Sequence, residues 1–476
     1  PRPPRSRPDP GARRGEYDPG HLDKLCERVD TFSVSGDGER LVVRHRDDII
    51  VVPSSHKVDD DDPACIRVDL TRLRRTVNPR AEWRQMFDEN GRLMASHYWR
   101  EDMNGVDWDG VLNRYRPLVD LCHVVDDLHD ILWETVAELN TSHSYVSASG
   151  AAGDSDMRAG LLGADVSSGA DGAKVVRVIP GESSDPRAWS PLRAAGVAVT
   201  EGDVIVAVDG RKVGADGNLG ELLEGSAGRV VELTVHRGEN ERQVAVVPMA
   251  DEAPLRYHDW VASRRRYVEE HSGGRLGYLH VPDMVSDGWA ELHRQIGEAT
   301  RHEGVIADVR FNHGGHTSQL VVERLARRVV GWDYSRWYAT ADTYPQNAVR
   351  GPIVMVTNQW AGSDGDIVAA ATQAMGYAKV IGERSWGGVV GIDGRFDLVD
   401  GTSVTQPRYA GWYGSYGWGV ENHGVDPDIV VTVSPEDWEA DRDVQLDAAI
   451  AECLRQLDDK PAATAPELPG PAFGRC

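Results

Sequence analysis

The chain contains 476 residues, a length that allows two to four domains, each large enough to bury a core of its own. Its 52 basic and 76 acidic residues give a net charge of −24, which disfavours nucleic acid and anionic membrane surfaces as partners. No apolar run reaches the roughly 18 residues of a membrane span, so we expect no transmembrane helix. The five cysteines are odd in number and widely spread, which predicts a reducing, cytoplasmic compartment rather than a disulfide framework.

The first segment, residues 1–75, is predicted to be a disordered start followed by short strands. Residues 1–20 are rich in Pro, Arg and Gly and have neither an initiator Met nor an apolar stretch, so we expect part of a longer chain and no signal peptide. Residues 31–53 place apolar runs around a Gly-Asp-Gly turn, which predicts short strands. Because such strands bury little surface by themselves, we expect them to be the end of a larger β-structure.

Residues 76–150 are predicted to form a small helical domain. Pro79 opens a helical pattern, and apolar residues recur at helical spacing over 115–139. The pattern ends at the segment Leu139-Asn-Thr-Ser-His-Ser-Tyr-Val146, in which His143 lies among hydroxyl side chains. A histidine in such a loop is an ordinary surface residue unless another part of the chain gives it a role.

Residues 157–250 follow a Gly/Ala/Ser/Asp linker and predict a compact β-rich module. Their landmarks are a Gly-Leu-Leu-Gly loop at 160–163, a short helix that ends in Gly196, and the run Glu201-Gly-Asp-Val-Ile-Val-Ala-Val-Asp-Gly210. This order resembles a PDZ domain. The resemblance implies that the module adds an extended peptide to its sheet as an extra strand, although a role as a structural spacer is equally open.

Residues 255–457 alternate apolar runs with helical patterns, which predicts an α/β domain of repeated strand–helix units. The last residues, 458–476, are interpreted as a tail. The predicted strands lie at 276–281, 304–310, 353–356 and 378–381, and the predicted helices at 289–300, 318–330 and 364–375.

Ser363 lies between the apolar run 353–356 and the helical pattern that starts at Asp364. A serine on such a strand-to-helix turn lies beside free backbone N–H groups and the positive end of a helix, which suit a developing oxyanion. The same serine, followed by Asp366, also resembles a helix capping box. The local sequence therefore leaves two roles open, a nucleophile and a helix cap.

The segment Asp308-Val-Arg-Phe-Asn-His-Gly-Gly315 ends a predicted strand in a Gly-Gly turn. Glycines allow backbone N–H groups to approach a ligand closely, so Gly314 and Gly315 are candidate oxyanion donors. An ordinary strand-to-helix turn is the alternative. His313 and His316 flank this turn, but two histidines without a third ligand do not indicate a metal site, and we expect neither metal nor cofactor.

The chain resembles the tail-specific, crotonase-like serine peptidases in two features. It has the pattern Asp-Val-Arg-x-Asn-x-Gly-Gly before a strand–Ser–helix unit, and a PDZ-like module lies upstream. One branch of this group uses a Ser–Lys dyad, with the lysine well after the serine. Here the matching neighbourhood, Ser385-Trp-Gly-Gly-Val-Val-Gly391, contains no lysine, and Lys379 lies in a strand-like run too close to Ser363. The chain is more similar to the other branch, the tricorn proteases, over about residues 75–457.

The resemblance to the tricorn proteases implies a Ser–His–Ser–Glu tetrad. Its nucleophile matches Ser363, and its base matches His143, from the end of the helical domain. Ser142 is then expected to bridge the imidazole to the acid. The acid matches Glu421, in Gly417-Trp-Gly-Val-Glu-Asn-His-Gly-Val-Asp-Pro-Asp428.

The same resemblance assigns residues that would hold the substrate. The oxyanion hole is expected from the backbone N–H of Asp364 and from one in Gly314–Gly315. Gly391 and Ile392 are expected to pair with the substrate backbone. Asp333 is expected below the first specificity pocket, where a carboxylate would favour Lys or Arg in the substrate.

The expected fold class is multidomain α+β: the remnant of a β-propeller, a small helical domain, a PDZ domain and an α/β crotonase-like catalytic domain. The expected function is hydrolysis of oligopeptides, the products of a larger protease such as the proteasome, by a homo-oligomer that the resemblance makes a hexamer. One alternative is a non-catalytic, PDZ-type peptide-binding scaffold. Another is a crotonase-type acyl-thioester enzyme, for which the sequence shows no basic pocket to hold coenzyme A.

Overall fold

The computed structural model describes residues 25–26, 29–59, 61–148, 157–214 and 218–468. The predicted disordered start at 1–20, most of the 147–156 linker and the end of the tail lie outside the described residues. Contacts divide the chain into two compact units, Pro1–Asn78 and Pro79–Cys476. The second unit carries every residue that the sequence singles out for chemistry.

The first unit is an antiparallel sheet with the strand order β1-β2-β3-β4. Its strands are β1 (Thr31–Val34), β2 (Arg40–His45), β3 (Asp48–Pro53) and β4 (Ile66–Arg67). The predicted turn contains Gly38, whose φ of 78° suits glycine. Val43 and Val52 are buried, whereas Phe32 stays 64% exposed. These short strands therefore bury little of their apolar surface, as the sequence predicts.

The helical segment is built from α1, α2 and α3, followed by the short strand β5. Their bounds are α1 (Pro79–His97), α2 (Trp108–Val119), α3 (Val125–Ala137) and β5 (Val146–Ser147). The amphipathic pattern of 115–139 is interrupted between α2 and α3. The carboxylate of Asp127 accepts hydrogen bonds from the N–H groups of His123 and Val124, which caps the start of α3.

The β-rich module forms a sheet with the strand order β11-β10-β8-β7-β6, and β9 pairs with β8. Its elements are β6 (Ala164–Gly169), β7 (Gly172–Val178), β8 (Val204–Val208), β9 (Arg211–Lys212), α4 (Leu219–Leu222), β10 (Val231–Arg237) and β11 (Asn240–Val246). Asp203, just before β8, is buried and binds the Arg237 guanidinium at 2.7 Å. The order leaves β6 at one edge of the sheet.

The α/β domain contains a parallel sheet with the strand order β12-β13-β16-β17-β21. Its elements are α5 (Ala253–His271), β12 (Leu276–His280), α6 (Ser286–Ala299), β13 (Gly304–Asp308), α7 (Ser318–Leu325), β14 (Gly331–Asp333), β15 (Asp342–Tyr344), β16 (Ile353–Thr357), α8 (Asp364–Met375), β17 (Ala378–Gly382), β18 (Gly391–Asp393), β19 (Ser403–Val404), β20 (Gln406–Tyr409), β21 (Ile429–Val430), α9 (Pro435–Glu439) and α10 (Val444–Asp459). The strands and helices predicted from the apolar runs are confirmed, with α7 ending five residues early. No helix within the described ranges combines the length and apolar character that crossing a bilayer requires.

Helices cover both faces of this parallel sheet. On strand β13, Val305 and Ala307 pack with α6, α7 and α8, whereas Ile306 packs with α5 and α10. Successive strand residues point to opposite faces, so a strand covered on both sides needs a continuous apolar run. This is why the strand positions could be predicted from apolar runs alone.

The helical segment docks on the α/β domain through a shared core and a strand pair. Leu398 and Val404 of the α/β domain join the apolar cluster that contains Leu128 and Leu132 of α3. Strand β5, which follows the histidine loop, pairs antiparallel with β19. The loop at 139–146 is therefore held between two docked parts of the second unit.

Candidate active site

Ser363 lies on a sharp turn between the carboxyl end of β16 and the first residue of α8. Its φ of 58° and ψ of −120° are unusual for a residue with a side chain, and such geometry costs of order 1–3 kcal/mol. The Ser363 hydroxyl makes no capping hydrogen bond within the described part of the chain. Strained serines on strand-to-helix turns occur as nucleophiles in known hydrolases, and the side-chain cap that the sequence left open is not formed.

Asp366, the other half of the supposed capping box, is buried and holds a neighbouring loop. Its Oδ1 accepts hydrogen bonds from the Ser385 hydroxyl at 2.5 Å and the Gly387 N–H at 2.8 Å. Burial raises the pKa of this carboxyl to about 6, against the lowering effect of these hydrogen bonds. Asp366 therefore ties the first turn of α8 to the loop that follows β17.

The Gly314–Gly315 turn packs directly against Ser363. Gly314 has a φ of 75°, and a Cβ added to it would lie 2.5 Å from the Cβ of Ser363. Only glycine fits such a close approach without displacing the serine. The turn is held by Asn312, whose Oδ1 accepts the Gly314 N–H at 2.9 Å.

This hydrogen bond separates the two predicted oxyanion donors. The Gly314 N–H is already bound by Asn312. Within the described ranges, the Gly315 N–H and the Asp364 N–H have no protein acceptor. Asp364 opens α8, so its N–H belongs to the positive end of that helix. Gly315 and Asp364 are thus the donors with free hydrogen-bonding capacity beside Ser363.

The Asp364 side chain has a separate structural task. Its buried carboxylate accepts the Ser318 N–H at 2.8 Å and the Ser318 hydroxyl, which joins the start of α7 to the start of α8. Burial raises the pKa of this carboxyl above its usual value. The side chain and the N–H of Asp364 therefore serve different partners.

His143 is buried, with 6% of its surface exposed, and it lines the same clefts as Ser363. Its ring packs edge-on against Trp386, with centroids 5.4 Å apart, and against Tyr145 at 5.7 Å. Burial lowers the pKa of the imidazole, and the Glu421 carboxylate opposes that effect. The structure thus favours a neutral imidazole, the form that can accept a proton.

Ser142 lies beside His143 in the histidine loop, and Glu421 contacts this loop from the α/β domain. The Ser142 hydroxyl lies 3.3 Å from His143 Nδ1, so it can hold that nitrogen. Glu421 Oε1 accepts the backbone N–H of Ser142 at 2.8 Å. The sequence-based expectation was that Ser142 bridges the imidazole to Glu421; in the structure its hydroxyl lies beside Nδ1, and its main-chain N–H donates to the carboxylate.

Thr405 fastens the same loop from the α/β domain. Its hydroxyl donates to the His143 carbonyl at 2.9 Å and accepts the Tyr145 N–H at 2.8 Å. The Thr405 N–H also donates to the Tyr145 carbonyl at 3.0 Å. The main chain on both sides of the imidazole is therefore positioned by the docked domain.

A cleft of about 620 Å³ opens beside Ser363 between α7 and α8. Gly391 and Ile392 of β18 line this cleft together with Ser363 and His143, as does Glu323 at the end of α7. Gly315, Ser363, His143 and Ile392 also line an adjoining cleft of about 470 Å³.

Asp333, the expected specificity residue, lies elsewhere. It ends β14 in a β-hairpin, is exposed, and does not line either cleft within the described ranges. His316 lines both clefts and His313 one of them. No group of three or more potential metal ligands occurs in the part of the chain that the structure describes.

Sequence reasoning did not single out Thr405, Trp386 or Glu323 as parts of the site. Thr405 carries no local signal, because its importance comes from hydrogen bonds to a segment 260 positions away. Trp386 lies in the glycine-rich run 385–391, where no local pattern shows that its ring packs against a histidine from a distant loop. Glu323 occupies an ordinary exposed helix position, and only the packing of α7 beside α8 brings it to the cleft.

Family models match three successive parts of the second unit. Residues 275–431 match peptidase family S41, residues 160–251 match the tricorn protease PDZ domain, and residues 79–137 match the tricorn protease C1 domain. The α/β part is therefore a domain of a serine-type peptidase family. The resemblance of the β-rich module to a PDZ domain is confirmed by its own family model.

Known relatives point to the same group along nearly the whole chain. Tricorn protease homolog 1 of Streptomyces coelicolor is 56% identical over 469 residues, covering 97% of this chain and 44% of the relative. Tricorn protease of Thermoplasma acidophilum is 36% identical over 425 residues, covering 89% of this chain and 39% of that protein. A crystal structure of the tricorn protease superposes with a TM-score of 0.82 at 34% identity, covering 90% of this chain and 42% of that chain.

The chain belongs to the tricorn protease family. Its second unit has the multidomain α+β organisation of that family, with C1, PDZ and S41 domains in the order expected from the sequence. The chain spans 44% and 38% of the length of the first two curated relatives.

Proposed function

We propose that this chain is a tricorn-like serine peptidase that hydrolyses oligopeptides, with Ser363 as nucleophile and His143 as base. The observation that carries this proposal is the strained, uncapped Ser363 in a cleft shared with a buried His143. In the proposed reaction, Ser363 Oγ attacks the peptide carbonyl carbon while His143 takes the hydroxyl proton. The imidazolium then returns that proton to the leaving amine, and water releases the acyl group by the same route in reverse.

We assign Glu421 and Ser142 to the orientation of His143. Glu421 supplies a negative charge that favours the imidazolium once it forms, as its effect on the pKa of His143 indicates. Ser142 contacts Nδ1 and leaves the other ring nitrogen for the nucleophile. The backbone N–H groups of Gly315 and Asp364 would stabilise the oxyanion, because they are the donors beside Ser363 that no described residue occupies.

The alternative of a PDZ-type scaffold that captures a peptide carboxylate has weaker support. In the Gly-Leu-Leu-Gly loop, the Gly163 N–H already donates to the Glu252 carboxylate at 2.7 Å. The Gly160 and Leu161 N–H groups donate to carbonyls of Leu223 and Met249. A second carboxylate would have to displace Glu252 and approach its charge, which favours a structural role for this loop.

Several finer assignments extend the proposal beyond the α/β site. We propose that the first unit is the end of a β-propeller, because its antiparallel strands leave residues such as Phe32 exposed. We also propose the crotonase-like type for the α/β domain, a hexameric assembly, and substrates released by a larger protease such as the proteasome, all by the family resemblance. We propose the domain limits 1–75, 76–150, 157–250 and 255–457, followed by a tail at 458–476.

We also propose a cytoplasmic setting. This proposal is supported by Cys65, Cys122 and Cys453, which form no disulfide among the described residues.

The proposal is tested by hydrolysis of short fluorogenic peptides and by labelling with a fluorophosphonate read out by mass spectrometry. We expect wild type to turn over the peptide and to be labelled at Ser363, and Ser363→Ala to lose both. Ser335→Ala is the matched control, because Ser335 is also partly buried but lies outside the cleft. Equal turnover by wild type and Ser363→Ala, or a wild type that is neither active nor labelled, would overturn the assignment.

A further inference from the structure

A separate cavity of about 600 Å³ lies at the carboxyl edge of the parallel sheet, where ligands commonly bind in α/β folds. Its walls come from the ends of β13, β16 and β17 and from α5, α9 and the start of α10. Four aromatic side chains line it: Trp260, Phe311, Trp360 and Trp438. Neither Ser363 nor His143 lines this cavity, so the proposed chemistry does not explain it.

The cavity adjoins the cleft that contains the nucleophile. It shares Gln359 and Trp360 with the 470 Å³ cleft, which Ser363 also lines. That cleft in turn shares Ser363 and Ile392 with the 620 Å³ cleft between α7 and α8. The three spaces therefore follow one another along the surface, and the aromatic cavity lies at the end of the series away from α7.

The aromatic wall is maintained at an energetic cost. Phe311 has a φ of 59°, a conformation that costs a bulky residue of order 1–3 kcal/mol. Asn358 Oδ1 accepts the N–H groups of both Phe311 and Trp360, at 3.0 and 3.2 Å. Phe311, Trp360 and Trp438 are nevertheless 40%, 64% and 79% exposed. Strain that keeps large apolar rings in contact with solvent indicates a binding surface rather than a core.

The three arginines that line the cavity, Arg264, Arg310 and Arg442, are each paired with a carboxylate. Arg264 and Arg310 both bind the Asp443 carboxylate, at 3.2 and 2.9 Å. Arg442 binds Asp437 at 2.8 Å. Because these arginines are already paired, none of them is free among the described lining residues to select a peptide carboxylate or an acidic side chain, and the four aromatic rings favour an apolar, aromatic occupant.

We propose that this cavity binds an aromatic side chain of the peptide substrate, at a position separated from the scissile bond by the Gln359–Trp360 wall. This inference rests on the proposed peptidase function. It predicts that the enzyme selects substrates by an aromatic residue remote from the bond that is cut. Peptides too short to reach the cavity should show no such preference.

The test uses one cleavable core extended on either side by a neutral Gly/Ser/Ala sequence into which a single Phe is placed at successive positions. We expect one remote position to raise kcat/KM about tenfold over the all-neutral peptide, which is the size expected for burying one aromatic ring. Trp438→Ala should remove that gain and leave cleavage of the unextended core unchanged, whereas Trp438→Phe should keep most of it. Trp337→Ala is the matched control, because Trp337 is 76% exposed and lines none of these cavities.

Cleavage of the unextended core by wild type tests the peptidase function separately from the remote site. If the core is cleaved but no Phe position raises kcat/KM, the inference is wrong while the function stands. A gain that persists in Trp438→Ala, or that Trp337→Ala also removes, would equally overturn it.

Discussion

The Glu421 carboxylate accepts a hydrogen bond of 2.8 Å from the backbone N–H of Ser142, although 279 positions separate the two residues. Its other oxygen accepts the N–H groups of Val389 and Val390, at 2.8 and 2.9 Å. One carboxylate thus joins the loop that carries His143 to the loop that forms a wall of the cleft. Glu421 is a structural tie between domains as well as a charge near the imidazole.

Glu421→Gln is expected to reduce kcat/KM more than Ser142→Ala does. The glutamine replaces one acceptor oxygen by an N–H₂ group that faces backbone N–H groups, and it removes the charge that favours the imidazolium. We expect a loss of about 10²-fold or more for Glu421→Gln. Ser142→Ala keeps the main-chain bond and loses one contact to Nδ1, so we expect a loss of about tenfold or less.

Steady-state kinetics on one fluorogenic peptide measure both losses, with thermal unfolding as a check that each variant folds. If the Ser142 hydroxyl were the essential link to Glu421, the two variants would lose similar amounts. Equal losses would therefore contradict the main-chain role that we assign to Glu421.

Removal of the Thr405 hydroxyl should lower kcat with little effect on Tm. That hydroxyl holds the His143 carbonyl and the Tyr145 N–H, so its loss loosens the histidine loop without opening a large cavity. We expect Thr405→Ala to lose roughly tenfold in kcat. Thr405→Ser keeps the hydroxyl and should retain most activity, and a serine variant as impaired as the alanine variant would argue against the hydrogen bonds.

In the profile of kcat/KM against pH, the midpoint of the acid limb should lie below 6.5, which is the ordinary pKa of histidine. Burial lowers the pKa of His143, so the imidazole stays neutral and able to accept a proton to lower pH than an exposed histidine. Activity is then lost as pH falls through the lowered pKa of the folded enzyme. The profile of kcat/KM from pH 4.5 to 8 measures this, and a limb above pH 6.5 would contradict His143 as the base in its described environment.

Asp366→Asn should change how stability depends on pH. The pKa of the buried Asp366 carboxyl is raised from 3.8 to about 6, so the folded chain keeps this proton after the unfolded chain has lost it. The associated stability is fully present below pH 3.8 and is lost as pH rises through about 6, on the order of 3 kcal/mol. We therefore expect the free energy of unfolding of Asp366→Asn, relative to wild type, to rise between pH 4 and 7.

Urea unfolding of both proteins at several pH values measures this difference in the free energy of unfolding. Asn is a suitable replacement because its side-chain oxygen can still accept the hydrogen bonds from Ser385 and Gly387. Glu239→Gln, which removes one charge from an exposed turn, is the control. A relative stability that stays flat between pH 4 and 7 would show that the Asp366 carboxyl is ionised at little cost.

We expect a preference for Lys or Arg in the substrate to depend on the Glu323 carboxylate. Glu323 lines the 620 Å³ cleft, whereas the sequence-predicted Asp333 is exposed on a hairpin outside it. Glu323→Gln should lower kcat/KM for a Lys peptide several-fold relative to a Phe peptide. Asp333→Asn, compared on the same two peptides, tests the original prediction, and selectivity lost only in Asp333→Asn would favour it.

Much of the architecture follows from local sequence because the physical signals are local. The buried strands β13 and β16 need continuous apolar runs, and the helices between them show helical spacing, so both could be predicted without contacts. Ser363 could be placed on a strand-to-helix turn for the same reason. The break between α2 and α3 was not predicted, because it depends on the single cap that Asp127 makes.

The sequence by itself determined the order of the domains, the serine on its turn and the glycines that allow close approach, since each depends on neighbouring residues. Only the tertiary structure decided whether Ser363 caps its helix, which N–H of the Gly-Gly turn is free, and which atom of Ser142 meets Glu421. Those outcomes depend on hydrogen bonds and packing between segments up to 279 positions apart, and no local pattern records which of two adjacent donors a distant carboxylate will bind.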